Sequence, residues 1–262
     1  MATGKILADR RGVIGAITID NPLRHNAVSQ EMWQAIADAV KTLDADPAIR
    51  VITLEGAGTR AFASGADISR FEDERQQNRA VTREGGAFNA ACAALHAAAT
   101  PSVAIIRGWC LGGGMALAVS CDLRLAADDA RFAIPAARLG IGYGVEGLRR
   151  IVELVGLSAT REIMLTARRY TAAEALRMGL VNQLVAVADL DAFAADYIAG
   201  IAANAPLTIA AARSALSELA RDTQARDWTA TEALIARCAD SSDHIEGARA
   251  FLEKRPPLFT GS

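Results

Sequence analysis

Short apolar runs closed by small or turn-forming residues mark the first half of the chain. Val51 to Leu54 and Ser102 to Ile106 show no helical period and predict buried strands. Cys121 to Ala126 and Ala130 to Pro135 read as further extended segments. Ile6 to Leu7 and Val13 to Asp20 predict a β-hairpin turning over Asp9-Arg10-Arg11-Gly12, closed by Asn21-Pro22. Between these runs the period changes. Ser29 is a good N-cap for Met32, Ile36, Ala39, Val40 and Leu43 at helical spacing, and Pro47 breaks that helix. Gly86 to Ala99 predicts an alanine-rich helix after a charged surface stretch, Arg70 to Arg83. Beyond Gly147 the pattern is mainly helical. Leu148 to Val155 stops at Gly156, Ser158 caps Ala159 to Leu165, and Thr171 caps Ala172 to Met178. Leu190 to Ala203 is amphipathic, Pro206 opens a helix to about Ala220, and Pro256-Pro257 ends regular structure. Strands alternating with helices place the chain in the α/β class.

Composition narrows the possibilities. The chain has 262 residues, 52% hydrophobic and 22% charged, enough to bury a sizeable core and inconsistent with disorder. A net charge of -2 without a basic tract argues against nucleic acid or an anionic membrane surface as partner. Cys92, Cys110, Cys121 and Cys238 lie in apolar surroundings without metal spacing, which predicts reduced thiols. His25, His96 and His244 are scattered, so neither a metal site nor a Ser-His-Asp triad is expected. The N-terminus lacks a signal segment and no apolar run is long enough to span a bilayer. A cytoplasmic protein is the expectation.

Two turns stand out. Arg107 to Ala118 runs from a strand through the triplet Gly112-Gly113-Gly114 into an apolar helix. Three glycines let backbone and ligand approach closely, and the first helical N–H groups lie free at the positive end of the helix dipole. Such a turn suits an anion, or an oxygen that becomes one. Alone it reads better as tight strand-helix packing. The second turn, Ala61-Phe62-Ala63-Ser64-Gly65-Ala66-Asp67-Ile68, also follows a strand.

These two turns together resemble the enoyl-CoA hydratase/isomerase (crotonase) superfamily. The similarity continues through Phe132 to Gly156, Thr166 to Val185, Ala205-Pro206-Leu207 and Phe251 to Arg255, nearly the whole chain. It implies an α/β spiral of ββα units in two sheets over residues 1–200. It also implies a helical trimerisation region over residues 201–262, hence a homotrimer or dimer of trimers. The ligand implied is an acyl-CoA, coenzyme A being part of the substrate and no other cofactor being needed. By position, the N–H groups of Ala66 and Gly113 would hold the thioester oxygen. Arg24, Ala27, Asp67 and Ile68 would lie against the coenzyme A. Arg24 is then a phosphate contact, though it reads equally as a solvated surface arginine. Asp67 would order its turn.

The residues that would select the reaction depart from the pattern. Hydratases of this superfamily place two glutamates where this chain has Ala116 and Ala136, and alanine transfers no proton. The acid position of many isomerases is Gly144. Two residues further on, Glu146 is either the acid/base or simply a carboxylate at a helix start. Tyr143 stands where decarboxylase-like members have a tyrosine, and is either a hydrogen-bonding phenol or an aromatic wall of the acyl pocket. Three functions follow: an enoyl-CoA hydratase/isomerase-like enzyme, a decarboxylase or hydrolase of coenzyme A esters, or a non-catalytic acyl-CoA binding protein.

Overall fold

The structure is a computed structural model and describes residues 4–67 and 86–262. Ile68 and the charged stretch from Arg70 to Arg83 lie outside the described residues. The chain opens with β1 (Lys5–Arg11) and β2 (Ile14–Asp20), paired antiparallel with Arg11 opposite Ile14. The hairpin therefore turns at Gly12-Val13, and Asp9 to Arg11, expected in the turn, belong to the strand. Gly12, at φ +65°, allows the tighter turn, and three charged residues suit an exposed edge strand.

Helix α1 (Gln30–Asp44) starts at Ser29, whose hydroxyl accepts the Met32 N–H. It buries Met32, Trp33, Ile36, Ala37, Val40 and Leu43 along one stripe. A three-step pattern follows. Strand β3 (Val51–Gly56) leads into the short β4 (Ala61–Ala63), with helix α2 at Ala87–Ala97. Strand β5 (Ser102–Ile106) leads into β6 (Trp109–Leu111) and helix α3 (Gly113–Ser120). Strand β7 (Leu123–Ala127) leads into β8 (Arg131–Ala133) and helix α4 (Ala136–Leu139). The long strand of each step joins one sheet and the short strand joins another. The remaining elements are α5 (Val145–Thr166), β9 (Tyr170–Thr171), α6 (Ala172–Arg177), β10 (Gln183–Val185) and α7 (Leu190–Ala202). Helices α8 (Pro206–Leu219), α9 (Thr229–Ala239) and α10 (Ser242–Glu253) complete the chain.

The larger sheet has the order β1-β2-β3-β5-β7-β10, and the smaller β4-β6-β8-β9. Inside the larger sheet β2, β3, β5, β7 and β10 run parallel. Both faces of its middle are covered, which explains why β5 is buried at every position and reads as an unbroken apolar run. One face meets the main core, with Ile17, Ile36, Leu54, Ile106, Met115 and Phe132. The other meets Leu190, Ala194 and Ile198 of α7. The crossing from the larger sheet to the smaller depends on Gly108. At φ +55° it packs so tightly that a Cβ would stand 2.1 Å from the Arg60 carbonyl oxygen.

The helical half keeps most of its expected punctuation. Thr171 and Glu174 form a reciprocal capping box, and Pro206 opens α8. Gly156 does interrupt α5, with φ 75° and ψ 167°, but the chain re-enters helix directly after it. The last helices are tied to the rest of the chain. Arg213 pairs with Asp122 at 2.8 Å, and Arg50 donates to the Phe259 carbonyl at 3.1 Å. No single helix among the described residues is long and apolar enough to cross a membrane.

Candidate active site

Strands β4 and β6 are parallel neighbours, with Ala61 opposite Trp109 and Ala63 opposite Cys110. The turns that leave them therefore emerge side by side. Gly65 takes φ +101° and Gly112 takes φ +52° with ψ −114°, conformations open to glycine. The turns touch through backbone alone. A Cβ on Gly65 would lie 3.2 Å from the Gly113 nitrogen, and one on Gly114 would lie 2.2 Å from the Ala63 carbonyl oxygen. The Gly112 N–H is used within the fold, donating to the Ala133 carbonyl at 2.8 Å.

Ala66 forms a parallel bridge with Val28. The hydrogen bonds of that bridge come from its neighbours: Val28 N–H to Gly65 O at 2.8 Å, and Asp67 N–H to Val28 O at 3.1 Å. Ala66 therefore turns its own N–H to the opposite side. Ala66 is exposed and Gly113 half-buried, at the first position of α3. Neither N–H has an acceptor among the described residues. Two donors on adjacent turns, one of them at a helix N-terminus, form a site suited to a carbonyl oxygen that gains negative charge.

The loop before α1 is fastened onto the first turn. Ser64 N–H donates to His25 O at 3.0 Å, the Ser64 hydroxyl donates to Arg24 O at 3.2 Å, and the Arg24 guanidinium pairs with the Asp67 carboxylate at 2.7 Å. Ala27 is buried in this loop, its N–H donating to Arg24 O. Arg24, Ala27, Ala66 and Asp67 are thus brought together, close to Gly113. Sequence reasoning missed the residue that holds this loop. Asn26 is fully buried at φ +55°, accepts the Asn21 N–H at 3.0 Å and donates to Ala57 O at 3.0 Å and Ala61 O at 2.7 Å. The only available signal was an asparagine in a tight loop, a residue that tolerates the left-handed region.

Ala116 and Ala136 are both buried in the main core. The Trp33 ring edge lies against Gly113, where a Cβ would meet it at 3.0 Å, and the Trp33 and Phe88 rings meet at right angles with centroids 5.0 Å apart. The Tyr143 ring rests on Gly147, and its hydroxyl is buried without a hydrogen-bond partner among the described residues. Burial pushes that phenol well above its usual range, the nearby Cys92 thiol adding to the effect and Arg150 opposing it. Glu146 is elsewhere in character: it is exposed in the first turn of α5 and pairs with Arg149 at 3.2 Å.

A spiral of paired strands and helices, with two glycine turns meeting at a helix start, defines a protein of the crotonase fold. The sequence profile described as Enoyl-CoA hydratase/isomerase matches residues 9–262, and the chain belongs to that family. It is 31% identical over 260 residues to a short-chain-enoyl-CoA hydratase of Clostridium acetobutylicum, covering 97% of each chain. It is 34% identical over 255 residues to a probable enoyl-CoA hydratase of Mycobacterium leprae, again covering 97% of each. Among solved structures, an enoyl-CoA hydratase/carnithine racemase from Magnetospirillum magneticum superposes with a TM-score of 0.90 at 34% identity. That match covers 100% of this chain and 97% of the other.

Proposed function

We propose that this chain is an enzyme acting on acyl-CoA thioesters, and that the N–H groups of Ala66 and Gly113 stabilise the enolate formed from the thioester. The observation that supports this reading is the close approach of Gly65 to the Gly113 nitrogen, with no acceptor for the Ala66 or Gly113 N–H among the described residues. Two such donors lower the cost of drawing a proton, or carbon dioxide, from the α-carbon. No cofactor is called for beyond the coenzyme A carried by the substrate. Arg24, Ala27, Asp67 and Ile68 are assigned to the coenzyme A side of the site.

Hydration by two carboxylates does not suit a chain with Ala116 and Ala136 at the hydratase positions, since neither can orient or activate water. Proton transfer is assigned instead to the turn before α5. A phenol with a raised pKa is a hydrogen-bond donor at working pH, which fits Tyr143 to a carboxylate or an enolate. Glu146, in the first turn of α5, is the other candidate. The buried, unpartnered Tyr143 hydroxyl favours a second reading, decarboxylation or hydrolysis of a coenzyme A ester.

The test is solvent deuterium entering the α-carbon, read by mass spectrometry over crotonyl, β-keto and malonyl-type esters. Exchange in the wild type, lost in Ala66→Pro, supports the assignment. Release of carbon dioxide or free thiol selects the second reading. Tight binding with neither exchange nor turnover makes the protein a non-catalytic acyl-CoA binder. The helices beyond residue 200 are assigned to a homotrimer or dimer of trimers. Exposed Leu216, Ile235, Phe251 and Leu252 supply apolar surface for it, and sedimentation reads the assembly directly.

A further inference from the structure

Strands β4, β6 and β8 are parallel neighbours, so their starts gather at one end as their finishes gather at the other. The glycine turns of the candidate site leave the finishing end. At the opposite end an open groove of about 470 Å³ is lined by Thr59, Arg60, Gly108, Trp109, Asp129 and Arg131, which lie at or just before the three strand starts. Strand β6 is three residues long, which sets Trp109 about 10 Å from Gly112. The groove is thus separate from the candidate site and of a size that small ligands occupy. Backbone hydrogen bonds tie its three segments together: Trp109 N–H to Arg60 O at 3.2 Å, and Arg131 N–H to Gly108 O at 2.8 Å.

Positive charge is in excess there. Arg131 is half-buried and anchored by Nη1, which donates to Ala130 O at 2.9 Å and Asp129 O at 3.0 Å. Its Nε and Nη2 have no partner among the described residues. The exposed Arg60 side chain has neither a hydrogen bond nor an ion pair among the described residues. The Arg169 guanidinium lies over the Trp109 ring, 4.9 Å from its centroid, and also has no carboxylate among them. Asp129 is the one carboxylate of the lining, and its Oδ1 accepts the Gly108 N–H at 3.2 Å. By contrast Arg168, one residue before Arg169, is paired with Glu162 and Glu174. An isolated exposed arginine is satisfied by water. A guanidinium already anchored at one nitrogen, in a concave wall beside a second one, offers preset forked donors that match the oxygens of a phosphate.

We propose that this groove binds a phosphate-bearing small molecule, with Arg60 and Arg131 on the phosphate and the Trp109 ring beside it. The site is additional to the proposed acyl-CoA site and does not rest on it. A phosphate carries more charge and more acceptor oxygens than a carboxylate, enough to engage two arginines and outweigh the single Asp129 charge.

Calorimetric titration of pyrophosphate, AMP and adenosine into the whole protein at low salt tests the site. Pyrophosphate should saturate with a Kd below about 1 mM. Arg60→Met should weaken it about tenfold, whereas Asp129→Asn, which removes a like charge and keeps the acceptor for Gly108, should tighten it about threefold. Should Arg60→Met not fold, Arg131→Gln takes its place with the same expected loss. AMP binding more tightly than pyrophosphate identifies a nucleotide as the source of the phosphate, AMP binding no more tightly identifies a free phosphate, and either upholds the site. No saturation up to about 10 mM pyrophosphate overturns it. So does adenosine binding as tightly as AMP, or an affinity that either charge change leaves unmoved. A loss in Arg24→Met with none in Arg60→Met also overturns it, since the anion then sits on the acyl-CoA side.

Discussion

Gly65 and Gly113, far apart in sequence, meet so closely that a methyl group on the first would lie 3.2 Å from the amide nitrogen of the second. The same methyl would stand 3.1 Å from the Leu111 carbonyl oxygen, at a backbone φ of +101°. Gly65→Ala should therefore cost about 1–3 kcal/mol of stability through strain. Because the added atom intrudes beside the proposed carbonyl site, turnover should fall by about a hundredfold. Urea unfolding and steady-state kinetics on the same preparation check the pair of effects.

Trp33 limits what Gly113 can become. A Cβ there would press on the ring edge at 3.0 Å, and the ring is itself packed at right angles against Phe88. Gly113→Ala should lose about 1–3 kcal/mol by overpacking. Trp33→Phe, added to it, should recover part of that loss, giving a favourable coupling in a double-mutant cycle. Purely additive losses would show that the ring is not the obstacle.

Asn26 fastens the loop that carries Arg24 and Ala27. Its amide donates to the Ala57 and Ala61 carbonyls, so Asn26→Asp, of nearly the same shape, sets a carboxylate against two carbonyl oxygens. A loss of about 3 kcal/mol or more is expected. KM for an acyl-CoA should rise, since the loop is proposed to flank the coenzyme. Chemical denaturation and kinetics measure the two consequences separately.

Two half-buried carboxyls contribute to acid stability. Thr171 hydrogen bonds and Arg168 hold Glu174 at about 2, and Arg255 with the Leu258 N–H holds Glu246 at about 2. Their folded-state values lie below the unfolded ones, so the stability they contribute is complete above about pH 4.5 and is lost as pH falls toward 2. Glu246→Gln should flatten the dependence of unfolding free energy on pH within that window and leave it unaltered near neutrality. Urea titrations at a series of pH values read the slope.

Burial sets the titration of Tyr143 in the other direction, keeping the phenol protonated past about pH 10, where an exposed tyrosine ionises. Ultraviolet tyrosinate titrations of wild type and Tyr143→Phe should coincide through that range. Turnover should drop in the variant by about a hundredfold without moving the alkaline limb of the rate profile. A limb that disappears with the hydroxyl would assign the titrating group to Tyr143 itself.

Local signals were legible where they depend on neighbours in sequence. Ser29, the Thr171 box, Pro206 and the break at Gly156 each act within a turn or two of backbone, and each lies where the pattern placed it. The β1–β2 turn was misplaced because three charged residues before Gly12 resemble a loop, whereas an edge strand also tolerates them. Helices α9 and α10 carry few buried residues, which weakens any apolar stripe. The two glycine turns of the site were visible as strand ends with small residues. Asn26 was not, since it looks like any loop asparagine until the distant carbonyls are brought beside it.

The turn contact has a consequence for how such a protein diversifies. What Ala66 and Gly113 offer is main chain, so changing a side chain at either place does not erase the donor unless proline arrives. Mutation can rewrite Ala116, Ala136 or Tyr143 while the proposed carbonyl grip persists. A lineage built on this frame could explore new reactions without first surrendering the donors proposed to serve all of them.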